Sequence, residues 1–176
     1  MKVAWMITGA EYFLSNCIDI INRLGPSKVD IFISRAAKEI MERYNFMEKL
    51  KDFKIVEDRS SSSPEIFSLF AGKYGLLVVA PATSNTVAKF VMGISDNLIT
   101  TMFAQAGKLR MPIFVLPTDA KDEIIFTTKS GKKYKIWRRK VDKENIQRLS
   151  EMEGVKLFLS PEELEEEVTK HLEKDT

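Results

Sequence analysis

The sequence predicts an α/β protein: a Rossmann-like (flavodoxin-like), doubly wound, mostly parallel sheet with an appended antiparallel hairpin, forming a single domain over residues 1–176. Three observations predict it. Short apolar runs rich in β-branched residues, such as Leu76-Leu77-Val78-Val79-Ala80, read as strands buried on both faces. Segments with apolar residues three and four positions apart alternate with these runs, the order expected of a parallel sheet with crossover helices. In the last third the pattern changes to two alternating strands around a Gly-containing turn, the mark of a hairpin.

Taken in order, Val3 to Thr8 is the first strand and Gly9-Ala10 its turn. Tyr12-Phe13 through Cys17, Ile18, Ile20, Ile21 and Leu24 has helical spacing, ended by Gly25-Pro26. Val29 to Ile33 is the second strand, stopping at Ser34, and Ala36, Ala37, Ile40, Met41 and Tyr44 line one side of a second helix. Ile55-Val56 is a weak third strand, and Ser60-Ser61-Ser62-Ser63-Pro64 a polar loop capping a short helix with Ile66, Phe67, Leu69 and Phe70. The central strand Leu76 to Ala80 is expected to stop at Pro81. Thr83, Ser84 and Asn85 then cap a helix whose apolar positions are Val87, Ala88, Phe90, Val91 and Ile94. Ile113 to Leu116 is a further buried strand, stopped by Pro117. Ile124 to Thr128 and Lys133 to Trp137 form the hairpin about Lys129-Ser130-Gly131-Lys132. Asp142 to Met152 reads as a helix and Val155 to Leu159 as a short strand. Ser160-Pro161-Glu162-Glu163 opens an acidic final helix, on which His171 is expected to face solvent.

Composition narrows the function classes. With 44% hydrophobic residues the chain can bury a sizeable core. Lys and Arg number 27 against 25 Asp and Glu, a net charge of +2, so the whole-molecule charge argues for neither nucleic acid nor an acidic partner. One cysteine, Cys17, and one histidine leave no internal disulfide and no Cys/His metal cluster, so no metal site is expected. The N-terminus enters a strand without a signal-peptide core, and no run approaches the ~18 apolar residues that span a bilayer. A soluble, cytoplasmic protein with no membrane contact is expected. Charge is concentrated locally in Lys129, Lys132, Lys133, Lys135, Arg138, Arg139 and Lys140, either as solvated guards of an exposed edge or as a docking face for an acidic redox partner.

The chemistry-bearing residues fall at strand ends. After the central strand, Ala82-Thr83-Ser84-Asn85-Thr86 offers hydroxyls, an amide and free backbone N–H groups at a helix N-terminus, where α/β proteins bind anions. An ordinary capped βα turn is the alternative. Thr8-Gly9-Ala10 and Ser34 occupy the same position after the first two strands, Gly9 leaving room for a phosphate to approach the backbone. Three such loops at one sheet edge suit a mononucleotide, and no Gly-x-Gly-x-x-Gly dinucleotide fingerprint is present.

Pro81-Ala82-Thr83-Ser84-Asn85-Thr86-Val87-Ala88-Lys89 with Gly93-Ile94-Ser95-Asp96-Asn97-Leu98-Ile99-Thr100 resembles the signature of the homo-oligomeric flavin-containing cysteine decarboxylase family. The resemblance implies FMN as cofactor. It implies that Gly9, Ser34, Thr83, Ser84 and Thr86 anchor the ribityl phosphate and chain, that Thr8, Ala10 and Ala82 are further cofactor contacts, and that Asn85 binds the cofactor too, approaching the flavin or its reaction partner as the catalytic candidate. Ser95, Asp96 and Asn97, from the motif's second half, would lie near the ring; a plain helix terminus is the alternative for Asp96. The decarboxylase branch carries a histidine before the motif strand and a later Pro-x-Met-Asn-x-x-Met-Trp clamp, and the chain from Ser60 to Tyr74 and after Pro117 has neither. The flavin prenyltransferase opening, Ser-Gly-Ala-Ser-Gly, is replaced by Thr8-Gly9-Ala10-Glu11-Tyr12. Ala4 to Leu14, Ile33 to Ile40 and the Ser-Gly-Lys hairpin are similar to the archaeal archaeoflavoprotein and dihydromethanopterin reductase branch.

That branch implies electron transfer, from a ferredoxin-like donor to a small-molecule or protein acceptor, a reduced pterin among the alternatives. A phosphopantothenoylcysteine decarboxylase-like lyase, a flavin prenyltransferase and a non-catalytic flavin-storage subunit are the other readings. Family members place FMN between subunits of a trimer. The apolar richness of Val87, Phe90, Val91, Ile94, Leu98, Met102 and Phe103, with Ala88 and Ala106, predicts that some of that surface is covered by another chain in a closed homo-oligomer, and the resemblance implies that this is a homotrimer or a multiple of one, with FMN contacts from two chains. The alternative is that the same residues are buried within their own domain.

Overall fold

The computed structural model describes residues 1–59, 64–127 and 131–174. The Ser60 to Ser63 capping loop and the Thr128 to Ser130 turn lie outside the described residues. Six parallel strands form one sheet in the order β3-β2-β1-β4-β5-β8: β1 (Lys2–Ile7), β2 (Val29–Ile33), β3 (Ile55–Glu57), β4 (Tyr74–Ala82), β5 (Ile113–Pro117) and β8 (Val155–Leu157). The helices are α1 (Leu14–Leu24), α2 (Arg35–Arg43), α3 (Phe46–Lys49), α4 (Phe67–Phe70) after a 3-10 turn at Pro64–Ile66, α5 (Ser84–Val91), α6 (Leu98–Lys108), α7 (Lys140–Ser150) and α8 (Pro161–Lys174).

Strand alternation sends every second side chain to opposite faces, and each face has its own core. Val3, Trp5, Ile7, Leu76, Val78 and Ala80 point to the face covered by α1, α2, α3 and α8, against Cys17, Ile21, Met41 and Leu164. Ala4, Met6, Leu77 and Val79 point to the other, against Val87 and Phe90 of α5, Leu98, Met102 and Phe103 of α6, and Leu149 of α7. Phe90 and Phe103 stack there with ring centroids 3.7 Å apart. At the amino end of the sheet, the buried Asp30 carboxylate is held by Lys2 Nζ at 2.8 Å, by Lys73 Nζ and by Tyr74 Oη at 2.9 Å. Burial opposes its charge, but those hydrogen bonds prevail and hold its pKa below the ordinary carboxylate range.

The structure corrects several expectations. Pro81 does not end the central strand: β4 runs through it to Ala82, and the ladder to β5 shifts register between Val79 and Ala82, where proline has no N–H to donate. The segment after the motif is two helices, broken where Gly93 takes φ +68°. Its apolar face is mostly not left for another chain, because Val87, Phe90, Leu98, Met102 and Phe103 are buried by their own domain; Met92 and Ile94 stay exposed at 64% and 45%. The antiparallel hairpin is present as expected, β6 (Glu123–Thr127) and β7 (Lys133–Trp137), and among the described residues it forms its own two-stranded sheet. Three of its cations have acidic partners: Lys135 pairs with Glu123 at 2.7 Å, Arg138 with Asp122 and Arg139 with Asp142 at 2.7 Å. His171 is half-buried rather than solvent-facing; its ring nitrogen lies 3.3 Å from the Gly75 carbonyl, with Phe114 edge-on at 6.0 Å. No helix among the described residues is long and apolar enough to cross a membrane.

Candidate functional site

β2, β1 and β4 are neighbours in the sheet, so their carboxyl ends bring together the loops at Ser34, Thr8-Gly9-Ala10 and Ala82 to Thr86. The strand order reverses between β1 and β4, the switch point at which open α/β sheets leave a crevice. Each loop turns at once into a helix or a tight bend. Ser34, extended at φ −70°, caps α2 by accepting the Ala37 N–H at 3.1 Å. Thr83 does the same for α5, its Oγ1 accepting the Thr86 N–H at 3.3 Å and lying 2.9 Å from Thr86 Oγ1. Neither α2 nor α5 has an acidic residue in its first turn, so the positive helix ends there are not neutralised from within. The first N–H groups of each, Arg35 and Ala36 on α2 and Ser84 and Asn85 on α5, have no acceptor in the helix.

Thr8 braces two of these loops. Its buried hydroxyl donates to the Pro81 carbonyl at 2.8 Å and accepts the Thr83 N–H at 2.9 Å, so its side chain is occupied inside the protein rather than offered to a ligand. Gly9 has a packing reason for lacking a side chain: a Cβ there would meet Ala36 Cβ at 2.5 Å. Ala10 lies half-buried beside it, its N–H on the Thr8 carbonyl at 2.8 Å. Ala82 is buried, and its carbonyl accepts the Thr118 N–H at 2.9 Å. Ser84 is half-buried and Asn85 exposed, and neither side chain hydrogen-bonds to another described residue.

The motif's second half forms the start of α6, not the end of a helix. Asn97 caps it in a capping box, its side chain accepting the Thr100 N–H at 3.0 Å while its own N–H donates to Thr100 Oγ1 at 3.1 Å. Asp96 pairs with Lys89 at 2.6 Å; that hydrogen bond above all holds its carboxyl below the usual range. Ser95 is exposed. Sequence reasoning missed Asp58, which follows β3 and accepts the Leu98 N–H at 3.0 Å, tying the α6 start to the strand beside Ser34. Only an aspartate just past a weak strand could have signalled it. It missed also the part that the residues after β5 play: Thr118 and Asp119 stand with Gly9 and Tyr12 around a cleft under the hairpin.

Among the described residues no group of three or more His, Cys, Asp or Glu side chains could hold a metal ion. Cys17 is buried in the core, which raises its thiol pKa well above the ordinary value and leaves it inert.

The Flavoprotein family model matches residues 1–174. An uncharacterized protein of Methanocaldococcus jannaschii is 37% identical over 98% of this chain and 97% of its own. A dihydromethanopterin reductase (acceptor) of Methanosarcina mazei is 36% identical over 70% of this chain, which spans 57% of that relative's length. Among solved structures, Burkholderia xenovorans DmrB in complex with FMN, described as a cubic protein cage for redox transfer, superposes with a TM-score of 0.89 at 35% identity, over 98% of this chain and 96% of that one.

Proposed function

From the premise that the chain belongs to the Flavoprotein family, we propose that it binds FMN at the carboxyl edge of β2, β1 and β4 and passes electrons between a protein donor and an acceptor. The observation that carries this reading is the convergence of two uncapped-by-acid helix N-termini, α2 and α5, at the switch point. The donor set fits a phosphate and a ribityl chain. Ser84 and Asn85 N–H groups, with the Ser84 hydroxyl, would hold the phosphate, and the Ser34 loop would stand beside them. Thr8 fixes the α5 turn against β1 and keeps those donors aimed. Bound FMN supplies the one- and two-electron chemistry, and the protein orients it and sets the dipoles around it. Asn85 is the side chain left to meet the ring or its reaction partner, with Ser95, Asp96 and Asn97 at its edge.

An acid/base role for histidine is disfavoured by position: the chain's one histidine lies against Gly75, at the start of β4, the opposite end of the sheet from the loops. That speaks against lyase chemistry of the cysteine-decarboxylase kind. A relative's name as a dihydromethanopterin reductase supports a reduced pterin as acceptor, and the relative described as a cage for redox transfer supports the electron-transfer role.

We read the assembly as a homotrimer or a multiple of one, with FMN contacted by two chains. Exposed Met92 and Ile94 flank Ser95 to Asn97, so the residual apolar surface sits beside the site. Anaerobic titration of the flavin-loaded protein with reduced ferredoxin tests the redox role: bleaching of the flavin bands supports it, and a yellow protein that neither ferredoxin nor a pyridine nucleotide with a reductase can reduce points to storage instead.

A further inference from the structure

The β6–β7 ribbon has one face turned to the body of the protein and one turned away. Ile124 and Ile136 are register partners and line a cleft with Gly9, Ala10 and Tyr12, so they look towards the strand-end loops. Strand alternation puts Ile125, Lys133, Lys135 and Trp137 on the opposite face. Ile125 and Trp137 are 62% and 65% exposed there, diagonal to one another across the ribbon. Lysines rim them. Lys135 Nζ lies 5.4 Å over the Trp137 ring while pairing with Glu123, and Lys133 is exposed with no acidic partner among the described residues. Lys140 follows at the start of α7, its side chain 91% exposed although Glu144 stands 3.7 Å away. Residues 119–143 carry nine Lys or Arg against four Asp or Glu, a net charge of +5 in a chain whose total is +2. The rest of the chain is therefore net negative, and the excess of positive charge is confined to the ribbon and its base.

We propose that the outward face of this ribbon is the docking surface for a small acidic one-electron carrier protein, with Ile125 and Trp137 as its apolar centre and Lys133, Lys135 and Lys140 as its steering rim. An exposed tryptophan at the centre of a patch supplies contact energy, and lysines around it raise the encounter rate of an acidic partner. Two apolar side chains inside a lysine rim match the small, transient interfaces of electron carriers; a permanent subunit contact is larger and depleted in lysine. The matching face of a second copy would moreover repel this one. Because the inner face of the ribbon borders the loops at Gly9 and Ala10, a carrier on the outer face stands one ribbon's thickness from them. The inference rests on the reading that those loops hold FMN. Each encounter oxidises the carrier's reduced cluster by one electron, and two encounters, with protons from solvent, complete the reduction of the flavin.

The test is stopped-flow reduction of the flavin-loaded protein by a pre-reduced acidic [2Fe–2S] ferredoxin, with dithionite as the small-molecule comparison. Calorimetric binding of the oxidised ferredoxin is a second readout that needs no flavin. At low salt, Lys133→Glu/Lys140→Glu is expected to be reduced by ferredoxin about tenfold or more slowly than wild type, with the gap closing as salt is raised. Lys28 precedes β2 and Lys108 ends α6, so Lys28→Glu/Lys108→Glu makes the same charge change at the amino edge of the sheet. That variant is expected to stay within about twofold of wild type. Trp137→Ser is expected to weaken ferredoxin binding about tenfold or more and leave the salt slope unchanged. Dithionite should bleach all four proteins alike. Wild-type rates in Lys133→Glu/Lys140→Glu, equal slowing in both charge variants, or ferredoxin binding indifferent to Trp137→Ser overturn the proposal. So does a change of particle size in light scattering on Trp137→Ser, which would give the face to a second copy. A protein that dithionite bleaches but whose ferredoxin rates ignore these substitutions keeps the flavin and loses the docking face; one without flavin that still binds ferredoxin through Trp137 and the lysines does the reverse.

Discussion

Gly9→Ala separates two reasons for a glycine at the end of β1. The added Cβ would stand 2.5 Å from Ala36 Cβ and 3.3 Å from the Ala36 carbonyl carbon, against 3.4–4 Å for ordinary contact. Neither neighbour is the free end of a flexible chain, so α2 or the β1 loop must withdraw by about 1 Å, a small-to-large change that costs about 1–3 kcal/mol. For a chain of this size that is a fall in Tm of about 2–12 °C. Because the displaced helix start also carries Ser34, FMN affinity should fall with stability. Ala36→Gly removes the opposing methyl at about 1 kcal/mol of helix propensity. In the double variant most of the Gly9→Ala penalty should therefore disappear, a coupling of about 1–2 kcal/mol in thermal melts of the four proteins. Additive losses would refute the packing argument. If Gly9→Ala abolished FMN binding at unchanged Tm, the glycine would serve phosphate approach and not the Ala36 contact.

Other outcomes follow from the same structure. Thr8→Val leaves the Thr83 N–H without its acceptor, and should cost about 1–3 kcal/mol in denaturant unfolding and loosen FMN together with the α5 turn. Asp58→Ala removes the acceptor for the Leu98 N–H and should destabilise by about 1 kcal/mol, with faster amide exchange at the start of α6; unchanged exchange would count against the tie. Asp30 has a folded pKa below its unfolded value, so its contribution is complete above the unfolded carboxylate range and is lost as pH falls through the folded value. Wild type should therefore lose stability in acid more steeply than Asp30→Asn, which should itself be weaker at neutral pH by about 3 kcal/mol; parallel pH profiles would contradict this.

Local signals carried much of the fold and of the site. The β-branched runs located β1, β2, β4 and β5, and of the expected caps Thr83 functions as such, because a cap is a contact between residues three apart that the sequence displays, while Ser84 and Asn85 lie inside α5 and the caps at Ser34 and Asn97 come from the structure. Long-range contacts were not legible. Nothing local ties Gly9 to Ala36, Asp58 to Leu98, or His171 to Gly75. Two of the acids that pair with the basic run, Asp122 with Arg138 and Glu123 with Lys135, arrive only by folding of the ribbon, whereas Asp142 lies three residues from Arg139. The apolar excess in α5 and α6 looked like an interface because their burial under α4 and α7 is tertiary. Pro81 misled for a simpler reason: a proline can stay inside a strand where the ladder is already irregular.

The central claim is that the unneutralised N-termini at the end of β2 and β4 anchor a single phosphate. Calorimetric titration of the flavin-free protein with FMN, riboflavin and FAD tests it most directly. FMN should bind at one per chain, and riboflavin, which lacks the phosphate, at least about 100-fold more weakly, as two or more lost charge-assisted hydrogen bonds require. FAD should bind no better than riboflavin. Riboflavin or FAD binding as tightly as FMN would contradict the phosphate anchor and the site built on it.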